Sequence, residues 1–271
     1  MSTDALYPFA GDHAIQNVAF VLEWPVPLTP SELLKVRGLH AQLQTSFPVM
    51  NEMRSLTINF AANPGGQTLS SNSNEIGGIQ FLGNPLGPGM VSRMLQVSPL
   101  NCIVVINDYS RWEKVWGDVR RWFMIVAPSL FETGHQIPTI GLQYTDVFNW
   151  RKAPETMELS EIFLKDTDFL PKNVFKLKSL WHSHHGYFDT RKILVEHKLL
   201  ENINVGLADN NGQRSITILT VHKATLLTPL WDMETLQGTV DTLMSDLHLR
   251  NKKILSSLLS TDVCAKIKLV V

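Results

Sequence analysis

Cysteine is scarce in this sequence: two residues, Cys102 and Cys264, in a chain of 271. That count excludes a disulfide-dense secreted scaffold. Cys102 sits in the apolar run Cys102-Ile103-Val104-Val105-Ile106, where a buried core thiol is expected. Charge is scarce too. Charged residues make up 18% of the chain, against about 25% in an average globular protein. The 24 basic residues are balanced by 25 acidic ones. Binding duplex DNA through its phosphates needs a clustered excess of Lys and Arg, so nucleic acid is a disfavoured partner. No apolar run reaches the ~20 residues that span a bilayer. No basic stretch followed by an apolar one opens the chain, where Asp4 and Pro8 come early. We therefore expect a cytoplasmic protein without membrane contact.

Catalytic signatures are missing as well. The glycines between Gly77 and Gly89 are followed by no Gly-Lys-Ser/Thr and open no helix, so they form no phosphate cradle. There is no Gly-x-Ser-x-Gly elbow, and neither cysteine stands in a nucleophile motif. No cofactor is implied, and the leading expectation is a protein that is not an enzyme.

Hydrophobic residues make up 44%, enough for a substantial core in a chain of this length. Ile15 to Trp24 reads as a strand. Thr29-Pro30-Ser31-Glu32 is a helix start with a capping box, followed by an apolar stripe of Leu33, Val36, Leu39 and Leu43. Arg54 to Phe60 reads as a strand, Ala61 to Gly78 as a loop rich in Asn, Gly and Ser. Short strands are expected over 79–82, 90–97 and 101–106. Ser110-Arg111-Trp112-Glu113 has capping-box spacing before a helix that lines up Trp112, Trp116, Val119 and Phe123. Ile137 to Trp150 is a strand.

After a connection at 151–158 and a short helix at 159–165, strands are expected at 175–188, 193–207 and 215–227. Asp209-Asn210-Asn211-Gly212 joins the last two. A long helix should follow Thr228-Pro229, with Leu236, Val240, Leu243, Leu247, Ile254 and Leu258 on its apolar side and Asn251 interrupting them. This pattern predicts an α+β class, with antiparallel sheets, packed helices and a long C-terminal helix. It divides into an N-terminal half (1–150) and a C-terminal meander plus helix (151–271). Leu28-Thr29-Pro30 and Leu227-Thr228-Pro229 hint at two similar halves.

Several segments together resemble a poorly characterised, sporadically distributed prokaryotic family. They are His13-Ala14-Ile15 through Trp24, Tyr109-Ser110-Arg111-Trp112, Gly141-Leu142-Gln143-Tyr144 to Phe148-Asn149-Trp150, Leu247-His248, and Ser260-Thr261-Asp262. The family pattern has Arg where this chain has Gln143. It carries no settled activity, but its patchy distribution is that of mobile or defence-associated genes. The resemblance implies an accessory, immunity-like or antitoxin-like role.

Three readings of function follow. In the first, a weakly charged surface with aromatic anchors (Trp150, Trp181 and Trp231) takes a protein partner or a second copy of the chain. The second is a metal-dependent hydrolase or nuclease. On a strand, His182 and His184 share one face and His185 takes the other. A turn near Asp189-Thr190-Arg191 would bring His184 near Glu196 and His182 near Lys198, with His185, His197 and His222 on the opposite face. His182, His184 and Glu196 could then hold Zn. Alternatively, Glu196-His197-Lys198 supplies a Mg-binding carboxylate and a Lys for the scissile phosphate, with Asp189, Asp166 or Asp168 as the second acid. The third reading is a small-molecule carrier, with a cavity between the sheet and the long helix.

Overall fold

The strongest alternation in the sequence, Ile140, Leu142, Tyr144, Asp146, Phe148 and Trp150, lies along one face of the central strand of the protein. The computed structural model describes residues 3–54, 57–63, 66–72 and 75–270. Its elements are β1 (Leu6–Pro8), β2 (Ile15–Glu23), α1 (Pro30–Arg37), α2 (His40–Leu43), β3 (Val49–Arg54), β4 (Thr57–Asn63), β5 (Gly66–Asn72), β6 (Ile76–Leu82), β7 (Pro85–Gly87), β8 (Met90–Val91), β9 (Arg93–Ser98), β10 (Asn101–Ile106), α3 (Trp112–Phe131), β11 (Ile137–Trp150), α4 (Leu159–Ile162), β12 (Trp181–Ile193), β13 (Val195–Asn210), β14 (Gln213–Leu230), α5 (Met233–Leu258) and α6 (Thr261–Lys266).

One large sheet has the order β12-β13-β14-β11-β2-β10-β9-β6-β3, and β1 pairs with the end of β11. Its neighbours are all antiparallel. The architecture is thus α+β around a large antiparallel sheet. β11 pairs with β2 on one side and β14 on the other, so the sheet runs unbroken through residue 150.

Register follows from alternation, because a slip of one residue would expose the whole inward set. Across the sheet, Glu201, His222, Leu142, Phe20, Val104, Leu95 and Phe81 form one continuous row of paired positions. Helices cover this face only, among the described residues. α3 brings Trp116, Val119, Trp122 and Phe123, and α5 brings Leu236, Val240, Leu243 and Leu247. A fully buried side chain of this kind stabilises by about 1.5–3 kcal/mol, so these stripes hold the helices down. Cys102 is part of this core, and its thiol is pushed up by burial.

Local signals hold at α1. Thr29 Oγ1 accepts from the Glu32 amide at 3.3 Å, and Glu32 Oε2 accepts from the Thr29 amide at 2.6 Å. That backbone bond holds the Glu32 carboxyl down at about 2. At α3 the expected box is absent. The cap is Arg111, in extended conformation and without a side-chain bond, because the first turn starts at Trp112, one residue later than the spacing of Ser110 requires. α5 starts later than expected as well. Thr228-Pro229 remain inside β14, and Asp232 caps the helix, accepting from the Thr235 amide at 2.7 Å.

Two further expectations are corrected. The stretch read as a loop from Ala61 contains part of β4 and all of β5, which pair as a separate hairpin; Pro64, Gly65, Ser73 and Asn74 lie outside the described residues. The strand expected from Phe175 starts at Trp181, because Pro171 opens a 3-10 turn over Lys172–Lys176.

Candidate functional site

The inward faces of β11, β13 and β14 are mostly apolar, with His197 near the start of β13 and a polar group at their centre. There, Asp146, Glu201, Thr220 and His222 are all buried, and His248, Arg250 and Asn251 come down on them from α5. These residues form a polar seam between two hydrophobic clusters. One cluster is built on β2, α1, α3 and the first half of α5. The other is built on α4, α6, the last turns of α5 and the far ends of β11, β13 and β14.

The seam begins with an ion pair. Arg250 Nε–H donates to Glu201 Oε1, and His222 Nδ1 meets Glu201 Oε2. Burial pushes the Glu201 carboxyl up, but the hydrogen bond and charge of His222 and then Arg250 outweigh it, so its pKa lies below the usual value. His222 Nε2 reaches Asn251 Oδ1 at 3.2 Å, and Thr220 Oγ1 donates to the same oxygen at 2.6 Å. The polar residue that breaks the apolar stripe of α5 is therefore the bridge between helix and sheet.

Beyond Asn251 the seam opens into a cleft of about 270 Å³. Its walls come from the approach to β2 and its first residue (His13, Ile15), the approach to α3 and its first turn (Tyr109, Arg111, Trp112, Glu113), β11 (Tyr144, Asp146), α5 (His248, Asn251, Lys252) and the tail after α6 (Lys268, Leu269). The His248 ring lies flat against Trp112, and Tyr144 Oη is 2.8 Å from its Nδ1. Burial, then the nearby Lys252, pulls the His248 pKa down to about 4. Burial raises the Tyr144 phenol, so a retained Tyr144 proton meets a neutral imidazole. Burial also raises the Asp146 carboxyl to about 7.

No family model matches the chain, and no curated protein matches it. Geometry alone therefore bears on the sequence-derived sites. Four of the five segments singled out in the sequence supply His13, Tyr109, Arg111, Trp112, Tyr144 and His248 to this cleft, and Ser260-Thr261-Asp262 does not line it.

The histidine constellation is corrected. Its faces are as expected: His182, His184, Glu196 and Lys198 point outward, and His185, His197 and His222 inward. The register differs. Ile193 pairs with Val195, and the turn is the single residue Leu194 at φ 59°. His184 thus pairs with Asn204 and His182 with Gly206. His184 is eight residues along the strand from the position beside Glu196, about 25 Å at strand rise. Asp189 pairs with inward Leu199, so it points away from Glu196 and Lys198. The outer Lys198 ammonium instead lies 4.4 Å from the Phe188 ring centroid. The other inward set is dispersed too, since His185, His197 and His222 stand opposite Ile203, Leu226 and Glu201. Among the described residues, no group of three or more His, Cys, Asp or Glu side chains is placed to hold a metal ion.

Of the aromatic anchors, Trp150 and Trp181 are buried and only Trp231 is exposed, at 61%. Trp150 and Trp181 stand at inward positions of β11 and β12. Trp150 Nε1–H donates to the Ala153 carbonyl, and Trp181 packs edge-on against Phe163.

What sequence reading missed is the opposite face of the sheet. Val21, Ile103, Val105, Val147, Leu200, Leu219 and Val221 project from it, interleaved with Gln80, Gln96, Gln143, Asn202 and Asn204. None of these apolar side chains joins either core cluster. Among the described residues of its central strands, the charged pair is Lys223 with Glu23, 2.6 Å apart. The signal was available in the strands whose outward positions carry aliphatic and amide residues in place of Lys and Glu.

Proposed function

We propose that this is a non-catalytic binding protein that receives a protein partner, or a second copy of itself, on the open face of its sheet. The observation that carries this is the composition of that face on its central strands: aliphatic, amide and hydroxyl side chains, one ion pair, and no covering element among the described residues. A sheet face exposed to water ordinarily alternates to polar side chains, whereas this one intersperses aliphatic residues with few charges, and interface centres are depleted in charge. The resemblance to a sporadic prokaryotic family gives the binding its proposed setting, as an accessory, immunity-like or antitoxin-like component of a conflict system.

The test uses the full chain as bait in its native host, beside a variant with Val105→Lys and Leu219→Lys. Both residues point outward and join neither core cluster, so folding should be retained. Capture of a protein by the wild type but not by the variant, or a wild-type dimer that the variant dissociates in sedimentation, supports the proposal. A wild type that sediments as a monomer at every concentration and captures nothing beyond what the variant captures overturns it.

A further inference from the structure

The cleft lies on the helix-covered side of the sheet, away from the open face, and its chemistry is different. Two buried polar atoms, from β11 and from the segment before β2, reach it without a partner among the described residues. Asp146 is 2% exposed, yet its buried Oδ2 has no hydrogen bond. His13 Nδ1 is buried and unpaired. Each such group costs about 1–3 kcal/mol when left dry, and native proteins carry few of them. Asn251, whose Oδ1 is committed to Thr220 and His222, also lines the cleft and brings an amide Nδ2 for a ligand to use. Two orphaned atoms facing one cleft, with the Asn251 amide beside them, point to a ligand that supplies the missing bonds.

The walls say what kind. Tyr109, Trp112 and Tyr144 present aromatic surface, which favours a flat ring. Asn251 Nδ2–H needs an acceptor and the Asp146 carboxyl takes a donor, a combination that a planar heterocycle offers along one edge. At the mouth, Arg111 and Lys252 make no ion pair among the described residues, while Lys268 is only 3.5 Å from Asp12. Against these cations stands Glu113. A net positive mouth fits an anionic group. The volume of about 270 Å³ falls just below the usual range for small-molecule sites, about 300–1,000 Å³, and so limits the ligand to a compact molecule with part of it at the open mouth.

We propose that this cleft binds a nucleoside monophosphate, its base inward on Asp146, Asn251 and His13 and its phosphate outward on Arg111 and Lys252. The assignment is independent of the partner surface on the other side of the sheet.

The test is calorimetric titration of the full chain with the four ribonucleoside 5′-monophosphates, the four nucleosides and inorganic phosphate. At least one monophosphate should bind with Kd below about 100 μM, and its nucleoside about tenfold or more weaker. Inorganic phosphate alone should not saturate. The double variant Arg111→Ala, Lys252→Ala removes the two mouth cations and should bring the monophosphate to the nucleoside level. Asp146→Asn, nearly identical in shape, should weaken the base by about tenfold or change which base is preferred. Circular dichroism confirms that both variants are folded. The proposal is overturned if no monophosphate binds below about 1 mM, if monophosphate and nucleoside bind alike, or if the double variant binds as the wild type does.

Discussion

The imidazole of His248 lies on the indole of Trp112 with ring centroids 4.1 Å apart and planes 4° from parallel. The stack fastens the middle of α5 to the start of α3 at the point where the polar seam meets the cleft. A protonated His248 would carry its charge into this partly dry site. With a folded pKa of about 4 against an ordinary 6.5, the folded state binds fewer protons than the unfolded chain between those values. Its contribution is therefore full above pH 6.5 and lost as pH falls toward 4, about 3 kcal/mol in all. In urea denaturation, His248→Gln should lose stability relative to wild type near neutral pH and recover most of the deficit at pH 4.

Asp146 gives the opposite slope. Its pKa rises from 3.8 to about 7 because of burial, so between these values the folded state holds a proton that the unfolded state has released. The contribution falls as pH rises through this window, by about 4 kcal/mol. Asp146→Asn should match wild type near pH 4 and become progressively more stable than it up to pH 8. A difference between the two denaturation curves that does not change with pH would refute the buried, unpaired carboxyl. The two residues oppose each other between pH 4 and 6.5, so the wild type should hide both slopes that the variants reveal.

Asn251 bridges α5 to Thr220 and His222. Asn251→Leu fits the apolar stripe of the helix but strands both partners in the core. A loss of about 2–4 kcal/mol is expected, the cost of leaving buried polar groups unpaired. The added variant Thr220→Val removes one orphan and should restore part of the loss, so a double-mutant cycle reads the coupling.

Leu194 turns the β12–β13 hairpin alone, at φ 59° and 64% exposed. A left-handed backbone costs an L-residue roughly 1–2 kcal/mol, and glycine is free of that cost. Leu194→Gly should raise stability by about 1 kcal/mol, measured as a higher denaturation midpoint with an unchanged slope. The Asn211–Gly212 turn at the next hairpin, at φ 56° and 83°, already uses suitable residues and offers no such gain.

The contrast between these two hairpins explains what the sequence could reveal. Asn211–Gly212 announces its turn because both residues favour positive φ, and its position in the chain was legible. Leu194 sends no signal, and the polar triplet Asp189-Thr190-Arg191 was the better decoy. Faces survive such an error when the turn shifts without changing strand parity, so the inward set of His185, His197 and His222 was readable and its register was not. β11 was readable because from Ile140 to Trp150 its period-two pattern is apolar apart from Asp146, while the irregularity between Ile137 and Thr139 gave no signal. Asn251 stood out as a break in a helical stripe, but the partners of that break, Thr220 and His222, belong to a strand more than twenty residues away. Trp150 and Trp181 were misplaced because nearness to the end of an element says little about burial once the strand face is fixed.

Because β11 lends one edge to β2 and the other to β14, the chain resembles a zip whose slider belongs to the first 150 residues while half its teeth belong to the last 121. Expressed alone, the first piece would present Thr139 to Asn149 as a bare edge competent to recruit any compatible strand. Supplied together, the two pieces should find each other and reconstitute the whole, which makes this protein a candidate for a split reporter cut between Trp150 and Arg151.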